Sequence, residues 1–158
     1  MKIYLVSSYF RRVELCEYRK QLESLGHVVT SRWLNGDHQT SDAGTPIGES
    51  GEKLIEDDGS TGDDSTSRSN KSATLRNQFA TEDFRDVIDC DLLIAFTEPP
   101  RSQFSRGGRH VKLGLALGMM KRVWIVGHRE NIFCWLEDVR FFESIDGVVE
   151  QLRGECEP

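Results

Sequence analysis

Two periodicities alternate along this chain. The β-rich run Lys2–Val6 ends at Ser7-Ser8, and Leu15, Tyr18, Leu22 and Leu25 then recur at helical spacing before Gly26. Strand, short turn and helix are the predicted opening. Residues 27–33 read as a second strand, and residues 75–90 as a helix with Phe79, Val87 and Ile88 among its apolar positions. Residues 91–97 are almost entirely apolar, as a strand buried on both faces should be. Residues 108–120 give the next helix, residues 122–126 a fourth strand, and residues 131–136 a short helix. A fifth strand over 139–142 and a closing helix over 144–153 complete the pattern.

This alternation predicts an α/β fold, a flavodoxin-like (Rossmann-like) doubly wound five-stranded parallel sheet with helices on both faces. Ligands in such folds bind beyond the carboxyl ends of the strands. One stretch breaks the rhythm: residues 36–73 are crowded with Gly, Ser, Thr, Asp and Glu, and their apolar content is concentrated in Leu54 and Ile55. A polar, flexible insertion in a single domain spanning 1–158 is expected there.

Composition narrows the function. A length of 158 residues with 37% hydrophobic positions suits one compact domain with a real core, not two. The net charge of −6 argues against a nucleic-acid polymer as partner, although a local basic pocket suffices for a small anion. No apolar stretch approaches the roughly 20 residues of a membrane span, so a soluble, cytoplasmic protein without a membrane partner is expected. Cys16, Cys90, Cys134 and Cys156 are scattered with no C-x-x-C pair, which points away from a metal site and from a disulfide framework. No cofactor is implied. Neither a G-x-S-x-G elbow nor a G-x-x-x-x-G-K-[ST] loop occurs, so serine-hydrolase and P-loop chemistry are set aside.

Three motifs, each next to an expected strand, carry a more specific signal. They are the opening KIYLVSSYFRR from Lys2, the run ATEDFRDVIDCD from Ala80, and the glycine-rich RGGRHVKLG from Arg106. In this order they resemble the nucleoside 2-deoxyribosyltransferases and the related deoxynucleoside 5′-monophosphate N-glycosidases, over most of the chain outside 36–73. The resemblance implies a nucleoside or nucleotide ligand, cleavage or transfer at the N-glycosidic bond, and a homodimer or higher homo-oligomer. It also implies a carboxylate under the anomeric carbon, because cleavage builds positive charge on the sugar and the family forms a glycosyl-enzyme there. That position matches Lys112, where the family carries Glu.

By the same resemblance Asp83 matches an Asp that assists at the base, and Tyr4 a Tyr that orients the nucleophile. A solvated helix Asp and a plain core Tyr are the alternatives. Glu98, at the end of the third strand, and Glu130 are candidate substitute carboxylates. Phosphate recognition has its own physical case: Gly107 and Gly108 open a helix whose first amides and dipole favour an anion, flanked by Arg106 and Arg109. Transferases for free nucleosides tend to be acidic near the Arg106 position, which favours a nucleotide here. Ser7, Ser8, Arg11 and Arg12 are placed to complete the cradle from the first turn. Phe10 and Trp33 are either base-stacking or core residues, His110 a ligand or a bystander on α-helical spacing, and Asn131 a pocket residue or a helix cap.

Lys112 divides the functional reading. Two unit charges about 4 Å apart interact by roughly 4 kcal/mol at an effective dielectric near 20, so a cation in place of an anion opposes an oxocarbenium-like state. A neutral lysine amine attacking C1 of the sugar is a minor alternative. Two readings follow: an N-glycosidase or deoxyribosyltransferase-like enzyme using Asp83 and a substitute carboxylate, or a catalytically impaired module that binds a nucleotide without turnover.

Overall fold

The computed structural model describes residues 1–36, 65–99 and 107–156. Five parallel strands, β1 (Lys2–Val6), β2 (Val28–Val29), β3 (Leu92–Phe96), β4 (Arg122–Val126) and β5 (Val139–Phe142), form one sheet in the order β2-β1-β3-β4-β5. This is the doubly wound, flavodoxin-like order expected from the alternation. The helices are α1 (Arg12–Ser24), α2 (Ser65–Asp89), α3 (Gly108–Gly118) and α4 (Ile145–Cys156). α1 packs with α4, and α2 with α3, which places one pair on each face of the sheet.

β1, β3 and β4 lie in the middle and are apolar nearly throughout because both of their faces are covered. Register aligns Tyr4 with Leu93 and Leu5 with Ile94. Successive side chains therefore point to opposite layers. Phe96 stacks on Tyr18 of α1, with ring centroids 5.1 Å apart, whereas Tyr4 reaches Asp83 of α2.

Two boundaries differ from expectation. β2 holds two residues instead of the seven of 27–33, and Trp33 sits in a short 3-10 helix, Arg32–Asn35. The reason lies in the hydrogen bonds: beyond β2 the edge of β1 is satisfied by side chains, Leu5 N donating to Ser31 Oγ at 2.6 Å and Trp33 Nε1 donating to Leu5 O at 2.8 Å. Those bonds replace a ladder and let the chain turn away. The second difference is α2, which starts at Ser65, so residues 65–73 of the stretch read as an insertion are helical. The rest of that stretch lies outside the described residues, apart from Gly36.

Past the end of β4, Gly127 adopts φ 114°, and a Cβ there would come within 3.0 Å of Thr97 Oγ1 and 3.1 Å of Thr97 O. Thr97 Oγ1 in turn donates to Val126 O and accepts from His128 N at 2.6 Å, closing the β3 and β4 ends together. Gly127→Ala should therefore destabilise the protein by about 1–3 kcal/mol, from backbone strain and the lost approach to Thr97. Chemical denaturation measures this, and an unchanged midpoint would refute it.

His27 is buried beside β1, and burial holds its pKa below the ordinary histidine value. A histidine that stays neutral in the fold lends stability above its unfolded pKa of about 6.5, and that stability is lost as pH falls through the folded value. Below about pH 6.5, wild type should lose melting temperature faster than His27→Gln. Parallel thermal scans across pH 5 to 8 check the difference.

Candidate functional site

Tyr4 stands in the middle of β1 and is fully buried, and its hydroxyl donates to Asp83 Oδ1 at 3.0 Å. Burial first, and the Asp83 carboxylate second, push the phenol well above the ordinary tyrosine range. The other oxygen of Asp83 meets Lys112 Nζ at 2.6 Å. One carboxylate thus joins β1 to both helices of this face. Lys112 Nζ also lies 5.7 Å from the Tyr4 ring centroid and 6.0 Å from that of Trp33, so its charge is set against two aromatic walls. The ion pair is about a fifth exposed on each side, Lys112 at 20% and Asp83 at 18%. Solvent and a ligand can reach it.

Asp86, one helical turn beyond Asp83 on α2, fixes this arrangement. It accepts from Arg32 Nε at 2.9 Å and pairs with Arg32 Nη2 at 2.8 Å, while Arg32 Nη2 also donates to Glu82 O. Arg32 precedes Trp33, so this clamp sets the Trp33 ring against Lys112. The sequence pattern offered one hint of it: Asp83 and Asp86 are three apart on a helix and share a side.

A second cluster gathers at the carboxyl ends of β1, β3 and β4. Ser8 Oγ donates to Glu98 Oε1 at 2.9 Å, and Arg11 Nη1 lies 3.8 Å from the same oxygen. Arg11 is held chiefly by Glu14, through bonds of 2.8 and 2.6 Å that raise the arginine pKa and lower that of the glutamate. Glu130, in the loop after β4, accepts from Glu98 N at 2.9 Å and binds Arg109 through both its oxygens. Arg109 is itself buried, and its Nη1 has no hydrogen-bond partner among the described residues.

α3 is preceded by Gly107, whose φ of 83° is a left-handed conformation that favours glycine. The N-cap residue, Gly107, has no side chain of its own to cap the helix, and a Cβ at Gly107 or Gly108 would meet no described atom within 4 Å.

The remaining sequence candidates are dispersed. Ser7 Oγ donates to Phe96 O, and Arg12 is buried with Nη1 donating to Leu34 O at 2.6 Å, directed toward Gly36. Phe10 is 66% exposed, and His110 is exposed on α3. Asn131 caps the 3-10 helix Ile132–Trp135, its Oδ1 accepting from Phe133 N at 2.9 Å. Arg106 lies outside the described residues. Glu14 and Asp86 were not singled out from the sequence, although Asp86 lies in the run from Ala80 that contains Asp83.

No protein-family model and no curated protein sequence matches the chain. Solved structures do. The 2-deoxyribosyltransferase from the psychrotolerant bacterium Bacillus psychrosaccharolyticus superposes with a TM-score of 0.58 at 19% identity, covering 96% of this chain and 96% of that one. The CMP N-glycosidase of Clostridium botulinum superposes with a TM-score of 0.51 at 15% identity, covering 97% and 98%. This chain has the 2-deoxyribosyltransferase fold. At these identities the likeness establishes architecture, and the chemistry must be argued from the side chains above. Among the described residues no helix is long and apolar enough to cross a membrane, and no cluster of three His, Cys, Asp or Glu is placed to hold a metal.

Asp83 and Lys112 should be strongly coupled. In a double-mutant cycle of Asp83→Asn and Lys112→Met, the expected coupling is about 0.5–3 kcal/mol, with each single variant leaving a partly buried charge unpaired. Urea unfolding of the four proteins gives the value. Additive single effects would show that the pair contributes nothing.

Proposed function

We propose that the protein binds nucleoside monophosphates in a deoxyribosyltransferase-like pocket, with the glycosyl-enzyme route closed. The observation that carries this reading is the 2.6 Å ion pair between Lys112 and Asp83. In the fold's transferases and N-glycosidases, as the sequence resemblance implies, the Lys112 position supplies a nucleophilic carboxylate. Here an ammonium occupies it, and the neighbouring carboxylate is committed to that ammonium. The pair leaves no free anion beside Tyr4 to meet positive charge developing on a sugar.

Substitute carboxylates do not repair this readily. Glu98 is bonded by Ser8 and approached by Arg11, and Glu130 is tied to Arg109 and to Glu98 N. Both lie in the strand-end cluster, and neither hydrogen-bonds Tyr4, Asp83 or Lys112 in that arrangement. The phosphate side of the reading is supported by the glycine-led start of α3 and by the buried Nη1 of Arg109 in its first turn, which has no hydrogen-bond partner among the described residues. The CMP N-glycosidase among the similar structures acts, by its name, on a nucleoside monophosphate. A nucleotide ligand, a role without a membrane or nucleic-acid polymer, and a homodimeric assembly belong to the same proposal.

Monophosphates should bind about tenfold more tightly than the matching nucleosides, a difference of roughly 1.4 kcal/mol. Calorimetric titration decides it, and equal affinities would remove the phosphate argument. Wild type incubated with a nucleotide panel should release no free base by chromatography. Lys112→Glu should raise release by about a thousandfold, which is what a swing of roughly 4 kcal/mol in charge interaction supplies. Faster release by wild type than by Lys112→Glu would overturn the proposed block.

A further inference from the structure

We propose that Lys112 is an imine-forming lysine, whose amine condenses with the aldehyde carbon of an open-chain pentose or pentose 5-phosphate while Asp83 carries the proton. The inference goes beyond nucleotide binding. It shares with that reading only the assumption that the pocket admits a pentose.

The local chemistry is assembled around one nitrogen. The Lys112 side chain is a fifth exposed, and its Nζ sits 2.6 Å from a carboxylate oxygen with two aromatic ring centroids 5.7 and 6.0 Å away. The other described lysines with side-chain partners lack this setting: Lys20 is a solvated cation beside Glu17, and Lys121 Nζ donates to Ile88 O. Lysine is the side chain that attacks carbonyl carbon to give a Schiff base, and only its neutral amine does so. Asp83 is positioned to take the proton that must leave first, and the Tyr4 hydroxyl on its other oxygen holds that carboxylate in place.

The step balances without a co-reactant. The amine lone pair forms a C–N bond to C1 while the carbonyl π pair moves to O1, and O1 takes up a proton to give a carbinolamine. The nitrogen lone pair then expels O1 as water, with the second proton returned through Asp83, leaving a protonated C=N bond between Lys112 and the sugar. Nothing is oxidised or reduced, and water reverses the sequence. A carboxylate nucleophile joins C1 of a cyclic sugar as an ester, whereas this amine selects the ring-opened aldehyde.

Sodium cyanoborohydride converts such an imine into a stable secondary amine, which intact-mass measurement and peptide mapping detect. Wild type is incubated with 2-deoxyribose or with 2-deoxyribose 5-phosphate plus this reductant. One saturable adduct on Lys112 is expected, absent from Lys112→Arg. Asp83→Asn should slow its formation roughly a hundredfold, the lower range for a positioned acid–base group, with the adduct still on Lys112. Faster labelling by the phosphate ester identifies a sugar phosphate as ligand, and equal labelling identifies the free pentose. Labelling scattered over several lysines, or undiminished in Lys112→Arg, overturns the proposal. A nucleotide titration of wild type runs in parallel: nucleotide binding without Lys112 labelling refutes the imine alone, and labelling without nucleotide binding refutes the nucleotide reading alone.

Discussion

A carboxylate pressed against a buried sheet must be compensated, and Asp83 is compensated from two elements at once. The Tyr4 hydroxyl satisfies one oxygen from β1, and the Lys112 ammonium satisfies the other from α3. Neither partner is dispensable on its own terms. A buried phenol needs a hydrogen-bond acceptor, and a mostly covered ammonium needs an anion. The three groups therefore fix how α2 and α3 lie on β1, and Asp86 extends the constraint by holding Arg32 and, through it, the segment that carries Trp33.

The same economy of charge runs through the strand-end cluster. Arg11 faces Glu14 and Glu98, Arg109 faces Glu130, and Lys112 faces Asp83, so three cations meet four carboxylates. Such a shell is not a simple positive funnel. In the proposed reading, an anionic ligand would draw on backbone amides at the start of α3 and on donors that the carboxylates leave over, such as Arg109 Nη1. Paired arginines are also rigid ones, held in a fixed orientation before any ligand arrives.

What was legible in the sequence follows from how local each determinant is. The continuous apolar runs at β1, β3 and β4 announced buried parallel strands, and Gly107-Gly108 announced a helix start with its left-handed entry. The alternation announced a doubly wound parallel sheet, and the structure supplies its strand order, β2-β1-β3-β4-β5. β2 was misjudged because Val28-Val29 looks extended on either side, while the real limit is set by Ser31 and Trp33 bonding to Leu5 across the sheet. The early start of α2 was hidden by a composition of Ser, Asn and Thr that has weak helical preference. In the site, Tyr4, Asp83 and Lys112 were each visible through their motifs, yet the bond between Asp83 and Lys112 was not, because it depends on the angle at which two helices meet. The roles of Glu14 and Asp86 were missed for a related reason: each answers an arginine, Arg11 or Arg32, and spacing alone does not say which charges pair.

Replacing a carboxylate by an ammonium changes more than the sign of one charge. With two acids beside Tyr4, repulsion would leave both carboxylates eager for positive charge, the condition that favours an oxocarbenium-like sugar. With one acid and one base the pair neutralises itself, and the pocket loses its pull on a cation while keeping a proton donor and a proton acceptor 2.6 Å apart. That is a poor setting for breaking a glycosidic bond through charge stabilisation. It is a better one for moving a proton at a neutral carbon–oxygen group, where no large charge has to be held and where the leaving water needs an acid nearby. If the proposed block holds, the residue that closes one chemistry is, by its partner and its position, suited to another.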